Sequence, residues 1–517
     1  MVQRKRVLAL SLAVSLSLSM LAGCGGNVTP SDSKGSSPSP AATGVVTKQE
    51  EPVAISFTTP LYNEPPNFQS DYYKELDKLA NVKLAIKAIP FNAYKEQLNL
   101  ALSSNELTDV VVNLELFDPV TIGAVRQGAF HDLTPYLGDL KKYPNLAGIP
   151  KQIWDNSKID GKVFAIPRPR GLTDQSLHIR KDWLDKLGLK APSTVEELRD
   201  VLKAFVEKDP DGNGKNDTYG LAVFGATLNS ASAPLGSAFG ANKPTFEGDK
   251  LLIPWMTNGY RDMLEYFRGL YADKIITQEY SVQKFGQDTE MFQSGKAGVV
   301  GSSINGAWDI WTNTKKTDPK AEILTLPPLK GPGGDASFLP SGYLGGIMIS
   351  SKVPKDKVEK ILKYLDQSAS KEFVDFEKYG IEGKHHTKEN GLPKVNDEMY
   401  KKEIGNASLM VGYYDPYNKA LHAKATPEFN EVQKKVSDQY AAKGVPNPLE
   451  GLISDTNAKR SADLFKDRNT ILTKVVVGQS TMEEWDAYLN RLKADPDVQK
   501  ILKEYADQYK LKFGDKK

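Results

Sequence analysis

The sequence holds a single cysteine, Cys24, in 517 residues. An internal disulfide framework is therefore excluded, and zinc-ribbon or iron–sulfur chemistry has no ligand set. Neither sign of charge dominates: 67 basic side chains stand against 65 acidic ones, a formal charge of +2. That balance excludes a strongly basic nucleic-acid binder and an acidic disordered chain. With 40% hydrophobic and 26% charged residues the composition is not that of a multi-pass membrane protein. The five histidines, His131, His178, His385, His386 and His422, show no metal-ligand spacing. A Gly-x-Ser-x-Gly elbow, a phosphate-binding loop and a dinucleotide fingerprint are all missing. Acidic residues are abundant enough to hide a glycosidase carboxylate pair, so a secreted glycosidase stands as an alternative that no motif marks. The absence of a fixed short repeat excludes a solenoid or a propeller.

What is present begins with Arg4, Lys5 and Arg6, a basic start to an apolar stretch from Val7 to Met20 that four serines dilute. Leu21-Ala22-Gly23-Cys24 follows. The run is short for a membrane span, and small residues precede Cys24, as signal-peptide cleavage requires. Leu-Ala-Gly-Cys resembles the bacterial lipobox, which implies acylation of Cys24. Residues 1–23 are expected to be a signal peptide; they carry three basic and no acidic groups, so their removal leaves a formal charge of −1. Residues 24–52, rich in Gly, Ser, Thr and Pro, lack the apolar surface to order themselves and are expected to be a disordered tether. Anchor, tether and folded body together suit the outer face of a membrane.

The length is about three times that of a usual domain, which points to several domains or a discontinuous pair. Val53, Ile55 and Phe57 alternate as in a half-buried strand ending at Thr58-Thr59-Pro60. Val82–Ile86 gives a second strand pattern, and Asp109–Val112 a short buried one suited to a parallel sheet. Between them Leu98 and Leu102 share a helical face. Strands alternating with helices indicate an α/β fold whose ligand crevice lies at the carboxyl ends of the strands. Tyr62, Asn63 and Asn113 follow such ends. Thr194-x-x-Glu197 and Thr481-x-x-Glu484 have capping-box spacing ahead of amphipathic helices.

Asp209-Pro210-Asp211-Gly212-Asn213-Gly214-Lys215-Asn216-Asp217 is the sharpest local motif. Oxygen-bearing side chains alternate around a central glycine as in an EF-hand-type calcium loop, with Lys215 offering its carbonyl. The twelfth position is Gly220, not the usual bidentate glutamate, so the expected calcium ion needs other donors to complete its shell. In Asn305-Gly306-Ala307-Trp308-Asp309-Ile310-Trp311 an aromatic sits among polar groups. A pyranose ring offers apolar C–H faces that stack on such a ring while polar neighbours meet its hydroxyls. Trp308 is the main candidate, with Trp255 and Tyr343 as weaker ones, whereas Trp183 lies in a dense helical pattern and is expected in the core.

Several stretches, in this order, resemble an extracellular solute-binding protein of the carbohydrate ABC-importer class, the large lipoprotein group similar to alginate- and oligosaccharide-binding proteins. They are Val163–Pro167, His178–Leu189, Pro192–Leu198, the Asp209 loop, Met291–Gly298 and Tyr379–Thr387. The resemblance implies two discontinuous α/β lobes joined by hinge segments, with the ligand held between them. The expected lobes are residues 53–165 with 324–370 and residues 166–323 with 371–517. Crossings are expected near Phe164 to Pro167, Ile323 to Leu326 and Ser368 to Gly380. The resemblance also maps the calcium loop onto Asp209, Asp211, Asn213, Lys215 and Asp217, with Thr218 where a glutamate is common, and sugar stacking onto Trp308. Arg168 and Arg170 flank Pro169 just past the first expected crossing and would pair with a carboxylate if the sugar is acidic. The implied protein is a monomer without enzymatic activity, anchored through Cys24 outside the bacterial cytoplasmic membrane, that delivers an oligosaccharide to an ABC permease. A binding protein for a peptide or another solute is a further alternative, since a fold alone does not fix its ligand.

Overall fold

A computed structural model describes residues 51–514 except 173, 174, 390, 418, 419 and 423. The expected signal peptide, Cys24 and the tether up to residue 50 lie outside the described residues. Nine strands build the two larger sheets: β1 (Val53–Leu61), β2 (Val82–Pro90), β3 (Val110–Asn113), β4 (Ala165–Pro169), β5 (Gln175–Arg180), β6 (Tyr219–Ala222), β7 (Ala297–Ser303), β8 (Ile323–Thr325) and β9 (Tyr343–Ile349). The first sheet has the order β2-β1-β3-β9-β4 and the second β8-β5-β7-β6.

In the first sheet β1, β2 and β3 run parallel, and β9 is antiparallel to both β3 and β4. Val110, Val111 and Val112 are all buried because the sheet is covered on both faces. Val110 and Val112 join Ile55, Phe57, Ile347 and Ile349 in one core, while Val111 and Met348 turn to the opposite face, against Leu98, Leu102 and Ile122. Helix Phe91–Ser104 buries Tyr94, Leu98 and Leu102, one residue from each turn. Gly345, at the irregular start of β9, has φ +66° and a backbone so close that an added Cβ would stand 2.2 Å from the Asn113 carbonyl oxygen. Only glycine fits there.

The second sheet packs against helix Val195–Glu207, which is capped by the Thr194 hydroxyl accepting from Glu197 N. Trp183 is buried there, edge-on to Phe205, as expected. Helix Met482–Ala494 starts with the reciprocal Thr481–Glu484 capping box and buries Trp485 in the same core. No helix among the described residues is long and apolar enough to cross a membrane.

The crossings differ from the expected ones. Residues 165–169 are still a strand of the first sheet, so the first crossing falls between Pro169 and Gln175, beyond the expected boundary at 165. Ile323–Thr325 is a strand of the second sheet, paired with β5, and the return falls between Thr325 and Tyr343. Ser368–Gly380 is no crossing: Ala369 and Phe373 pack in the first core with Ile404, Leu409, Met410 and Val411. The third crossing follows Val411, because Ala420 packs against Ile304 of the second lobe. Helix Lys371–Tyr379 therefore belongs with the first sheet, not the second. Sequence periodicity marks that helix as amphipathic, but not which of two cores its apolar stripe meets.

Candidate functional site

All crossings join the two sheets at one edge of each. In the first, the carboxyl ends of β1, β2, β3 and β4 and the start of β9 share an edge. In the second, β6 and β7 are parallel and end where β5 begins, Gln175 pairing with Ser303. The groups at these two edges form the candidate site.

On the first edge the Tyr62 ring, 37% exposed, stacks on Phe91 with centroids 5.0 Å apart at 29°. Phe91 opens the helix directly after Pro90 ends β2, so both rings stand at strand ends. Arg168 is buried, with Nε donating to the Met410 carbonyl at 3.3 Å and Nη1 to the Leu344 carbonyl at 3.5 Å. It is thus anchored by neutral acceptors rather than open to solvent as a loop charge would be. Arg170, the residue just past β4, is half-buried and donates from Nη1 to the Pro169 carbonyl at 2.8 Å. Burial, and then the like charge of Arg168, lower its pKa to about 10. Burial also lowers Arg168, with Tyr62 and Glu377 opposing it. Glu377 lies on helix Lys371–Tyr379; burial raises its pKa, and the charges of Arg168 and Arg170 oppose the rise.

Asn113 is buried: its Nδ2 donates to Thr121 Oγ1 at 2.8 Å and its Oδ1 accepts from Glu115 N at 2.9 Å. Those bonds hold the turn after β3 and leave Asn113 on the wall of a cavity of about 290 Å³ that Phe91, Tyr94 and Leu98 also line. Asn63 lines a separate cavity of about 440 Å³ with Glu64, Tyr400 and Lys401. Tyr343 is half-buried, its hydroxyl 3.3 Å from the Asn156 carbonyl and 3.4 Å from Glu450 Oε1. Burial, then Glu450, drives its pKa far upward. Tyr343 therefore serves the hinge side of the edge rather than an open ligand face.

On the second edge β7 runs into a single turn, Ile304–Gly306, and then helix Ala307–Thr317. The half-buried Trp308 projects from its first turn. One face stacks on the His422 imidazole, 4.9 Å away at 12°, and its edges meet Trp311 and Phe429 at 5.4 Å. Trp311 is fixed by an Nε1–H bond to the Ala321 carbonyl at 3.2 Å and by stacking on Phe429. His422 arrives on the third crossing; burial lowers its pKa, Asp309 opposes, and Lys424 and Lys378 add to the fall. Lys378 belongs to the first lobe, so the two edges are within electrostatic reach of each other. Trp255 is elsewhere: it is buried in the second core, edge-on to Phe465 at 5.2 Å, with the Arg468 guanidinium over its ring. Its local Pro-Trp-Met turn reads as a loop in the sequence, but the turn is folded inward.

Four further residues join this site. Phe91 carries a signal in the sequence, an aromatic directly after a strand-ending proline. Glu377 and Lys378 read as the polar face of a helix, and His422 as a lone histidine.

In the Asp209 loop, Asp209 accepts from Gly212 N at 3.0 Å and Gly214 N at 3.1 Å. Asp211 Oδ2 and Asp217 Oδ1 both accept from Asn213 Nδ2, at 2.9 and 3.0 Å, so the third, fifth and ninth side chains converge. Gly212 and Gly214 have φ +81° and +80°, which the tight turn needs. Burial raises Asp211, and neighbouring Asp209 and Asp217 add to the rise, whereas the loop's hydrogen bonds keep Asp209 low. This donor set of hard oxygens on a turned loop fits calcium chemistry. No three His, Cys, Asp or Glu side chains among the described residues are arranged as a metal cage by themselves. Gly220 explains the missing twelfth ligand: an added Cβ would lie 2.7 Å from the Leu202 carbonyl oxygen, so no glutamate fits. Thr218 turns inward to donate to the Phe205 carbonyl at 2.6 Å.

The family described as bacterial extracellular solute-binding protein matches residues 71–372. The polygalacturonan/rhamnogalacturonan-binding protein YtcQ of Bacillus subtilis (strain 168) is 29% identical over 462 residues, covering 89% of this chain and 91% of that one. Lipoprotein LipO of the same organism is 30% identical over 496 residues, 93% of this chain and 94% of that one. Among solved structures, an HMO-binding, ABC-transporter-associated solute-binding protein from Bifidobacterium longum infantis superposes with a TM-score of 0.68 at 20% identity, over 89% of this chain and 99% of that one. That likeness establishes the two-lobed α/β fold.

Proposed function

Since the chain belongs to the bacterial extracellular solute-binding protein family, we propose that it captures an oligosaccharide between its two lobes and hands it to the permease of an ABC importer. The observation that carries this reading is the pairing of aromatic surfaces on facing edges, Tyr62 with Phe91 on one and Trp308 on the other. Aromatic faces stack on pyranose C–H surfaces, while Asn305 and Arg170 supply donors for hydroxyls. Contacts from both edges at once are possible only when the lobes close, so ligand shifts the open–closed equilibrium by its differential affinity for the two states. The closed form is what a permease would recognise.

Two guanidiniums, Arg168 and Arg170, against one carboxylate whose charge acts on both, Glu377, favour a sugar that brings its own carboxylate, because a guanidinium pairs with one in bidentate geometry. The similarity to a polygalacturonan/rhamnogalacturonan-binding protein points the same way. Cys24 would carry the lipid that holds a monomer at the outer membrane face. Asp209, Asp211, Asn213 and Asp217, with the Lys215 carbonyl, would hold a structural calcium ion that braces the loop between helix Val195–Glu207 and β6.

A thermal-shift panel of neutral oligosaccharides, uronides and peptides tests the reading. A true ligand at 100 times its dissociation constant adds about 2.7 kcal/mol. Uronides or neutral sugars should raise the melting temperature without being hydrolysed. A shift with peptides alone, or turnover of a sugar, would replace this function with one of the alternatives.

A further inference from the structure

We propose that the His422 imidazole is a built-in rival of the ligand: it covers the face of Trp308 on which a sugar unit would stack, and it turns away before that unit binds. The two rings are nearly parallel, 12° apart with centroids at 4.9 Å. That is stacking geometry, and a pyranose laid on the indole would take the same place. Trp311 and Phe429 stand across the indole at 73° and 80°, so neither covers a face in this parallel manner. The covered face is also the one turned toward the path of the ligand. His422 lies just past Ala420, where the third crossing meets the second lobe, and the charge of Lys378 on the first lobe acts on its ring. A ligand that spans both edges passes between those same groups.

The residue is held in a way that lets the ring move while the backbone stays. His422 N donates to Asn430 Oδ1 at 2.9 Å, and Asn430 Nδ2 donates to the His422 carbonyl at 3.0 Å, which pins the backbone to helix Pro427–Ala442. The imidazole is held by Nδ1 accepting from Lys424 N at 3.2 Å and by the stack on Trp308. A turn about χ1 to another staggered position releases both and leaves the Asn430 clamp intact. Burial, with Lys424 and Lys378 adding to it and Asp309 opposing, keeps the imidazole neutral at pH 7. The stack therefore has the strength of an ordinary aromatic pair rather than that of a cation over a π face. Trp308 is thus engaged by the chain itself, and apparent affinity is reduced by the fraction of molecules in which the indole is free. A solute without a flat apolar face cannot replace the lost stack, so the ring also filters out such solutes.

The inference rests on the oligosaccharide reading, and one set of titrations separates the two. Wild-type protein, His422→Ala, His422→Phe, Trp308→Ala and the double variant Trp308→Ala with His422→Ala are titrated calorimetrically with galacturonic acid oligomers and with neutral malto-oligosaccharides. His422→Ala is expected to bind the recognised sugar roughly two- to tenfold tighter than wild type, the worth of one stacked pair. His422→Phe keeps a ring on the indole and should gain nothing. In the Trp308→Ala background the loss of His422 should have no effect, because the rival has no face left to cover. Weaker binding by His422→Ala overturns the proposal and makes His422 a ligand contact; equal affinity overturns it too. Carbon-13-labelled histidine spectra read the exchange on wild type itself, with the His422 signals identified by their absence in His422→Phe. Bound sugar should move those signals out of the Trp308 ring current, and signals unmoved at saturation overturn the exchange. If wild type binds none of these sugars, the oligosaccharide reading falls first and the rival ring with it.

Discussion

His178 on β5 is fully buried, with Nδ1 3.1 Å from the Thr325 hydroxyl and Nε2 3.4 Å from the Ser303 carbonyl. The Thr325 hydroxyl is in turn 3.1 Å from the Gln433 amide. The network fits a neutral ring that donates from Nε2 to Ser303 and accepts at Nδ1 from Thr325. Burial lowers its pKa from 6.5 to about 4. As pH falls from 6.5 toward 4, the unfolded chain takes up a proton that the folded chain refuses, so stability falls across that window and not above it. Each tenfold change in proton affinity between the two states is worth about 1.4 kcal/mol, so the full loss is about 3 kcal/mol, a large share of the roughly 5–15 kcal/mol typical of a domain. Urea unfolding followed by tryptophan fluorescence, at pH 7 and again near pH 4.5, measures it in wild type and in His178→Gln. The glutamine keeps hydrogen-bonding atoms but takes no proton. Other acid-sensitive groups are common to both proteins, so the difference between their two losses isolates His178, and wild type is expected to lose about 2–3 kcal/mol more. Equal pH dependence in the two proteins would refute the argument.

Replacing Trp308 with alanine should weaken oligosaccharide binding about tenfold or more, read by calorimetry, and unchanged affinity would remove it from the site. Trp255→Ala should instead destabilise the second lobe by about 3–5 kcal/mol in denaturant unfolding with ligand affinity retained, as a core position demands. Arg170→Gln should weaken uronides roughly tenfold while sparing neutral oligosaccharides; equal weakening of both would reject carboxylate pairing. A calcium chelator should lower the melting temperature of wild type but not of Asp211→Ala, and a wild-type curve indifferent to chelator would reject the metal.

The strands and their caps are legible in the sequence because local rules decide them. Phe57, Leu98 and the Thr194 and Thr481 caps obey periodicities that do not depend on distant chain. Trp308 is legible too, as an aromatic set in a polar turn after a strand. What cannot be read depends on partners far away in sequence. Arg168 looks like a solvated loop charge until Met410 and Leu344 supply its acceptors. Glu377 lies on the polar face of its helix, and the charges that act on it, Arg168 and Arg170, come from β4 and the residue just past it. Trp255 and Trp308 have similar local settings, and only the C-terminal helices, through Phe465 and Arg468, make the first a core residue. The third crossing departs from its expected place for the same reason, since helix Lys371–Tyr379 can serve either core by its own pattern.

The position of β9 has a consequence for how the chain reaches its native state. Residues 343–349 are the strand between β3 and β4, so β4 has no ladder to the rest of its sheet until they arrive. The first core also needs Phe373 and Leu409–Val411 from later still. An emerging chain can thus present hundreds of residues without completing either lobe, and closing these long loops makes folding slow. Neither lobe can therefore close around its core until most of the polypeptide is available.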